Sequence, residues 1–157
     1  MSDAISSILK HPDFKKGEVW WQEEFSSGET ILNEGESSQD VYLILQGAAR
    51  VTVKVDIEDE RHIKSGLGEY STGDTFGELN LFDVSVRSAS VIANTDTVVA
   101  RIDGKVLSEF LDKNPALGYK VLKEYFMHHA DLLRSSNDRV SKLFSWGLKK
   151  HDIKRHL

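Results

Sequence analysis

"VYLILQGAARVTVKVD", residues 41–56, sets two kinds of β-strand on either side of one glycine. Val41 to Leu45 is apolar at every position, which suits an inner strand covered on both faces. From Arg50 to Asp56 the valines Val51, Val53 and Val55 alternate with Arg50, Thr52, Lys54 and Asp56. That period of two predicts a strand with one buried and one wet face. The punctuation continues outward: between Trp20 and Ile102, glycines at 28, 35, 47, 66, 68, 73 and 77 separate short segments rich in β-branched and aromatic residues. An antiparallel all-β unit follows from this pattern. Many short strands with glycine turns favour a closed barrel or a jelly roll, which limits exposed sheet edges. The acidic run at 58–60 is expected to tip a hairpin.

The rhythm changes at Asp103, which can cap a short helix reaching Leu111, while Asn114 with Pro115 reads as a second start, an N-cap followed by proline at the first helical position. Beyond it only Gly118 interrupts helix-forming sequence before Trp146. Leu122, Phe126, His129, Leu133, Ser136, Val140 and Leu143 recur at alternating spacings of four and three, a heptad seam that wants a partner helix. A second stripe, Val121, Tyr125 and Leu132, is placed to face the barrel. The expected organisation is a partly helical lead-in at 1–19, one domain at 20–146 (β-roll 20–102, helices 103–146), and a basic tail at 147–157.

Composition removes several function classes. The 157 residues suit one domain with a single core. There is no cysteine, which excludes disulfide frameworks, thiol catalysis and thiolate metal sites. A net charge of −5 gives no long-range attraction for nucleic acid or an anionic membrane. The N-terminus lacks the positive start and apolar block of a secretory signal, and no apolar run is long enough to span a bilayer, so a cytoplasmic location is expected. A metal-holding cupin needs two histidines and a glutamate from the barrel strands, and that region offers only His62. No nucleophile–base constellation is visible, so no catalysis is expected.

The chemistry concentrates in "FGELNLFDVSVRSA", residues 76–89. Leu79 to Phe82 can form about one helical turn after Gly77, whose first backbone N–H groups would attract an anion. Arg87, at the head of a strand that turns Ala89, Val91 and Ala93 inward, can fork onto two phosphate oxygens, with the Ser88 hydroxyl beside it. Glu78 needs a donor, and a ribose hydroxyl next to a phosphate supplies one. A cyclic nucleotide monophosphate carries both groups. Taken alone, Glu78 and Arg87 are more readily read as an exposed ion pair tying a loop, worth little.

Residues 76–89 resemble the phosphate-binding cassette of the cyclic nucleotide-binding domain family, the module of the catabolite activator protein, protein kinase A regulatory subunits and cyclic nucleotide-gated channels. The family pattern is Phe-Gly-Glu-Leu/Ile-Ala-Leu-Leu, three variable residues, Pro-Arg, a small or hydroxyl residue, then Ala. FSSGETILNEGE at 25–36, VYLILQGAARV at 41–51 and GEYSTGDTFGEL at 68–79 are similar to the family's glycine-bearing turns, in the same order. The resemblance implies a double-stranded β-helix of about eight strands, flanked by helices and followed by a long C-terminal one. It implies that Glu78 accepts from the ribose, that Arg87 and Ser88 meet the phosphate, and that the amides of Gly77, Leu79 and Ala89 complete the cradle. The purine would meet Ser135 or Ser136, with Arg134 as an alternative lid. Two departures stand out: Val86 replaces the usual proline and Asn80 the usual alanine.

Only eleven residues follow Trp146, fewer than a DNA-reading motif requires. The resulting expectation is a sensor for cyclic AMP, or less favourably cyclic GMP, that signals by moving its long helix, as a homodimer through residues 122–143 or to an unidentified effector protein. The alternative is a degenerate module that keeps the fold for ligand-independent protein interaction.

Overall fold

The computed structural model describes residues 3–57, 61–83 and 85–150. The chain divides into two compact units, one ending at Val121 and the next beginning at Leu122. The first opens with α1 (Asp3–Ile8), followed by β1 (Trp20–Phe25), β2 (Thr30–Leu32), β3 (Val41–Gln46), β4 (Ala48–Ile57), β5 (Arg61–Ser71) and β6 (Thr75–Phe76). A 3₁₀ turn (Glu78–Asn80), β7 (Ser90–Ala93), β8 (Thr97–Ile102) and α2 (Gly104–Lys113) follow, and α3 runs from Pro115 to Lys150.

The strands form two four-stranded antiparallel sheets, ordered β1-β8-β3-β6 and β2-β7-β4-β5. This is the eight-stranded, jelly-roll-like double sheet followed by a long C-terminal helix that the family resemblance implies. Both sheets contribute to one core: Tyr42, Ile44, Phe76 and Val99 from the first, and Ile31, Leu32, Ala49, Val91 and Ala93 from the second. Burying each large apolar side chain contributes about 1.5–3 kcal/mol.

β3 is an inner strand, as its apolar run requires, with Val41 to Ile44 buried and Leu45 turned outward. β4 departs from the expected alternation. Thr52 is buried at 4% exposure, while Val51 and Val53 are half-buried. The register against β5 shifts between Val51 and Thr52, and such a bulge resets which residues face the core. Residues 58–60 lie outside the described residues, although Ile57 pairs with Arg61 on either side of them. β7 starts at Ser90 rather than Arg87, and Ile92 joins Val91 and Ala93 in the interior.

Ile5, Ile8 and Phe14 are buried, and Phe14 meets Phe110 of α2 edge to face at 4.8 Å. Asp103 caps α2 by accepting from Val106 N at 3.0 Å, and α2 buries Leu107, Phe110 and Leu111 at helical spacing. α3 begins at Pro115 as expected, but the Asn114 side chain serves the preceding helix, donating to Phe110 O at 2.9 Å. Gly118 passes so near α2 that a Cβ there would lie 3.0 Å from Leu111 O.

In the second unit the helix extends past Trp146 to Lys150, and residues 151–157 lie outside the described ones. Leu122, Phe126, Leu133, Val140 and Leu143 of the seam are all exposed. Of the second stripe, Val121 and Tyr125 are buried, whereas Leu132 is exposed. Among the described residues no helix is long and apolar enough to cross a membrane.

Candidate functional site

β6 delivers the chain to Gly77 in the left-handed region, φ 83°, from which Glu78–Asn80 turn as a 3₁₀ helix instead of the single turn expected at 79–82. Gly77 is required twice. L-residues with a side chain disfavour that φ, and a Cβ would lie 2.8 Å from Asp40 O. Downstream, Val86 bridges Ser37, Arg87 N donates to Glu36 O at 2.8 Å, and Gly35 N donates to Arg87 O at 2.8 Å. These bonds fix the backbone on both sides of the guanidinium.

Glu78 and Arg87 are not an exposed pair: they are 8% and 4% exposed. Arg87 Nη1 donates to Gly77 O at 2.7 Å and, more distantly, to Asn80 Oδ1 at 3.4 Å. Nη2 donates to Asp40 O at 2.6 Å and Ser38 Oγ at 3.2 Å. The fork expected to grip phosphate is thus committed to protein acceptors, and Nε is buried with no partner among the described residues. A buried unsatisfied donor costs about 1–3 kcal/mol, more when charged, so this atom calls for an acceptor. Burial lowers the Arg87 pKa despite the nearby Tyr42, Asp40 and Glu78, yet an arginine remains charged.

Asp40 links this cassette to the first sheet. Its carbonyl holds Arg87, and its carboxylate accepts from Arg101 Nη1 at 3.1 Å. Arg101 also donates to Glu23 at 2.6 Å, which holds its pKa up, and lies 4.8 Å over the Trp21 ring. Phe76 is sandwiched between Tyr42, at 5.1 Å, and Tyr70, at 5.4 Å. Burial, then the charge of Asp40, pushes the Tyr42 phenol up to about 12. Burial, then the charge of Glu78, raises Tyr70 still further.

The structure therefore brings Gly77, Glu78 and Arg87 together. Leu79 is exposed at 64%, as are Phe82 and Val86 to similar degrees. Ser88 is exposed and Ala89 half-buried, both between Arg87 and β7. Ser135 and Ser136 are exposed positions of α3 in the second unit, and Arg134 pairs there with Asp131 at 2.8 Å. Sequence reasoning missed Ser38 and Asp40, which no local pattern marks. Asn80 it registered only as a departure. Among the described residues no cluster of three or more His, Cys, Asp or Glu could hold a metal ion.

The two-sheet roll thus packs a buried arginine against a glycine-led turn that carries a buried glutamate. The cyclic nucleotide-binding domain family model matches residues 22–114, and the chain belongs to that family. It is 28% identical over 124 residues, 78% of the chain, to Lysophospholipase NTE1 of Phaeosphaeria nodorum, of which the match covers 8%. It is 35% identical over 102 residues, 63% of the chain, to Cyclic GMP-binding protein C of Dictyostelium discoideum, of which 4% is covered. The chain thus spans less than a tenth of the length of these curated relatives. Among solved structures, a cyclic nucleotide-binding domain from Methylobacillus flagellatus superposes with a TM-score of 0.67 at 27% identity, over 79% of this chain and 67% of that one.

Proposed function

We propose that the protein is a cyclic nucleotide sensor that acts by binding rather than by catalysis, in the cytoplasm, with cyclic AMP preferred over cyclic GMP. The observation that carries the reading is the buried Arg87 guanidinium, whose Nε has no acceptor among the described residues, in the same cassette as the buried Glu78 carboxylate. An exocyclic phosphate oxygen supplies the acceptor. The ribose 2′-hydroxyl donates to Glu78, and the amides of Gly77, Leu79 and Ala89 with the Ser88 hydroxyl complete the cradle. The preference for adenine rests on Ser88, and the Dictyostelium relative named for cyclic GMP keeps guanine as the competitor to test.

The output of this sensor is its long helix. Ligand binding shifts a pre-existing equilibrium of that helix, and the exposed seam at 122–143 meets a second copy or an effector protein. One observation favours a second reading, a ligand-independent interaction module: Gly77, Asp40, Ser38 and Asn80 already satisfy the terminal nitrogens of Arg87.

Calorimetric titration of cyclic AMP into the parent and Arg87→Ala proteins separates the two. Losing one partner of a buried charge pair costs about 2–5 kcal/mol, so affinity should fall from about thirtyfold to several thousandfold. Equal affinity in both proteins would remove Arg87 from the site.

A further inference from the structure

We propose that Asn80 is the positioning residue of the cassette arginine, replacing with one side-chain amide the rigidity that a proline before Arg87 would supply. The inference rests on the cyclic nucleotide reading of this site and names the side chain that aims it. The sequence departs from the family pattern at Asn80 and at Val86, and the structure connects the two departures. Asn80 is 3% exposed. Its Nδ2 donates to Ser85 O, the carbonyl immediately before Val86, at 2.5 Å, and to Ser85 Oγ at 3.0 Å. Its Oδ1 accepts from Arg87 Nη1 at 3.4 Å.

One planar amide therefore ties the 3₁₀ turn to the residue leading into Val86 and touches the guanidinium. Among side chains of this length only an amide offers two donors and an acceptor from a single group. Alanine has none of them, and an ionised aspartate keeps the acceptor but cannot donate to Ser85. The need for a tie follows from Val86. Proline holds its own φ near −65° and restricts the residue before it, whereas valine fixes neither. Val86 is 62% exposed, so its side chain makes little contact that could fix the backbone instead. The backbone bonds of Arg87 to Gly35 and Glu36 anchor the chain after this point, and the Asn80 amide anchors it before. The bridge bond to Glu36 is donated by Arg87 N rather than Val86 N, so a proline at 86 leaves it intact.

The test measures cyclic AMP affinity by calorimetry and ligand-free melting temperature for the full chain carrying Asn80→Ala, Val86→Pro, or both. Asn80→Ala should bind about tenfold more weakly, the equivalent of about one lost hydrogen bond. Val86→Pro alone should bind at least as tightly as the parent, and in the double variant it should restore affinity to within about threefold of the parent. A purely structural role for Asn80 would lower the melting temperature without this rescue. Asn80→Ser, which keeps a short hydroxyl, takes the place of Asn80→Ala should that variant fail to fold, with the same loss and rescue expected. Parent-like affinity in the Asn80 variant, or a loss that Val86→Pro does not repair, overturns the proposal while leaving the sensor reading intact. A folded parent that binds no cyclic nucleotide overturns both.

Discussion

Gly77→Ala adds a methyl group at the tightest corner of the cassette. The new Cβ would lie 2.8 Å from Asp40 O, 3.1 Å from Arg87 Nη1 and 3.4 Å from Tyr42 Cδ2. Asp40 O accepts from Arg87 Nη2 at 2.6 Å, and the Asp40 carboxylate is held by Arg101, so the oxygen cannot retreat without loosening a buried charge. The left-handed backbone at φ 83° adds its own strain. A non-glycine residue there costs about 1–2 kcal/mol, and a weakened hydrogen bond to a charged group about 1.5–3 kcal/mol, together about 2.5–5 kcal/mol. Gly28 isolates the first effect, since its φ is 91° and no atom lies within 4 Å of an added Cβ. Gly28→Ala should therefore cost only about 1–2 kcal/mol. Urea denaturation of the two variants and the parent, with equal m-values, gives the difference directly. Equal destabilisation by the two substitutions would refute the claim that Gly77 protects the Asp40–Arg87 contact.

Asp103→Ala removes the cap on Val106 N and should destabilise by about 1 kcal/mol, a fall of about 2–4 °C in Tm, whereas an unchanged Tm would deny the cap its role. Because burial raises the Tyr42 pKa from 10.0 to about 12, the folded state keeps the phenol proton longer than the unfolded chain does. That stabilisation is complete below pH 10 and is lost as pH rises toward 12, at up to about 1.36 kcal/mol per pH unit. Denaturation between pH 9 and 12 should show a shallower loss in Tyr42→Phe than in the parent, and identical slopes would contradict the burial argument.

Where one residue's local chemistry decided the structure, it could be read from the sequence. The apolar run 41–45 read as an inner strand and is buried through Ile44, though Leu45 faces out; Pro115 had to open a helix, and Gly77 had to begin the cassette turn. Features that depend on partners distant in the chain were not visible. Thr52 faces inward because β4 shifts register against β5, and Phe14 is buried because Phe110, far along the chain, meets it. Asn114 looked like a cap for the helix after it, yet its amide reaches Phe110 O in the helix before it. In the site, residue types pointed to Glu78 and Arg87, but not to the acceptors that hold Arg87. Two of those acceptors are backbone carbonyls, which any residue carries.

Titration of cyclic AMP and cyclic GMP, separately, into protein that has been unfolded, dialysed free of ligand and refolded tests the central claim. The sensor reading predicts saturable binding at one site per chain, tighter for cyclic AMP and weakened when the 2′-hydroxyl is absent. No binding of either nucleotide to a folded protein would contradict it.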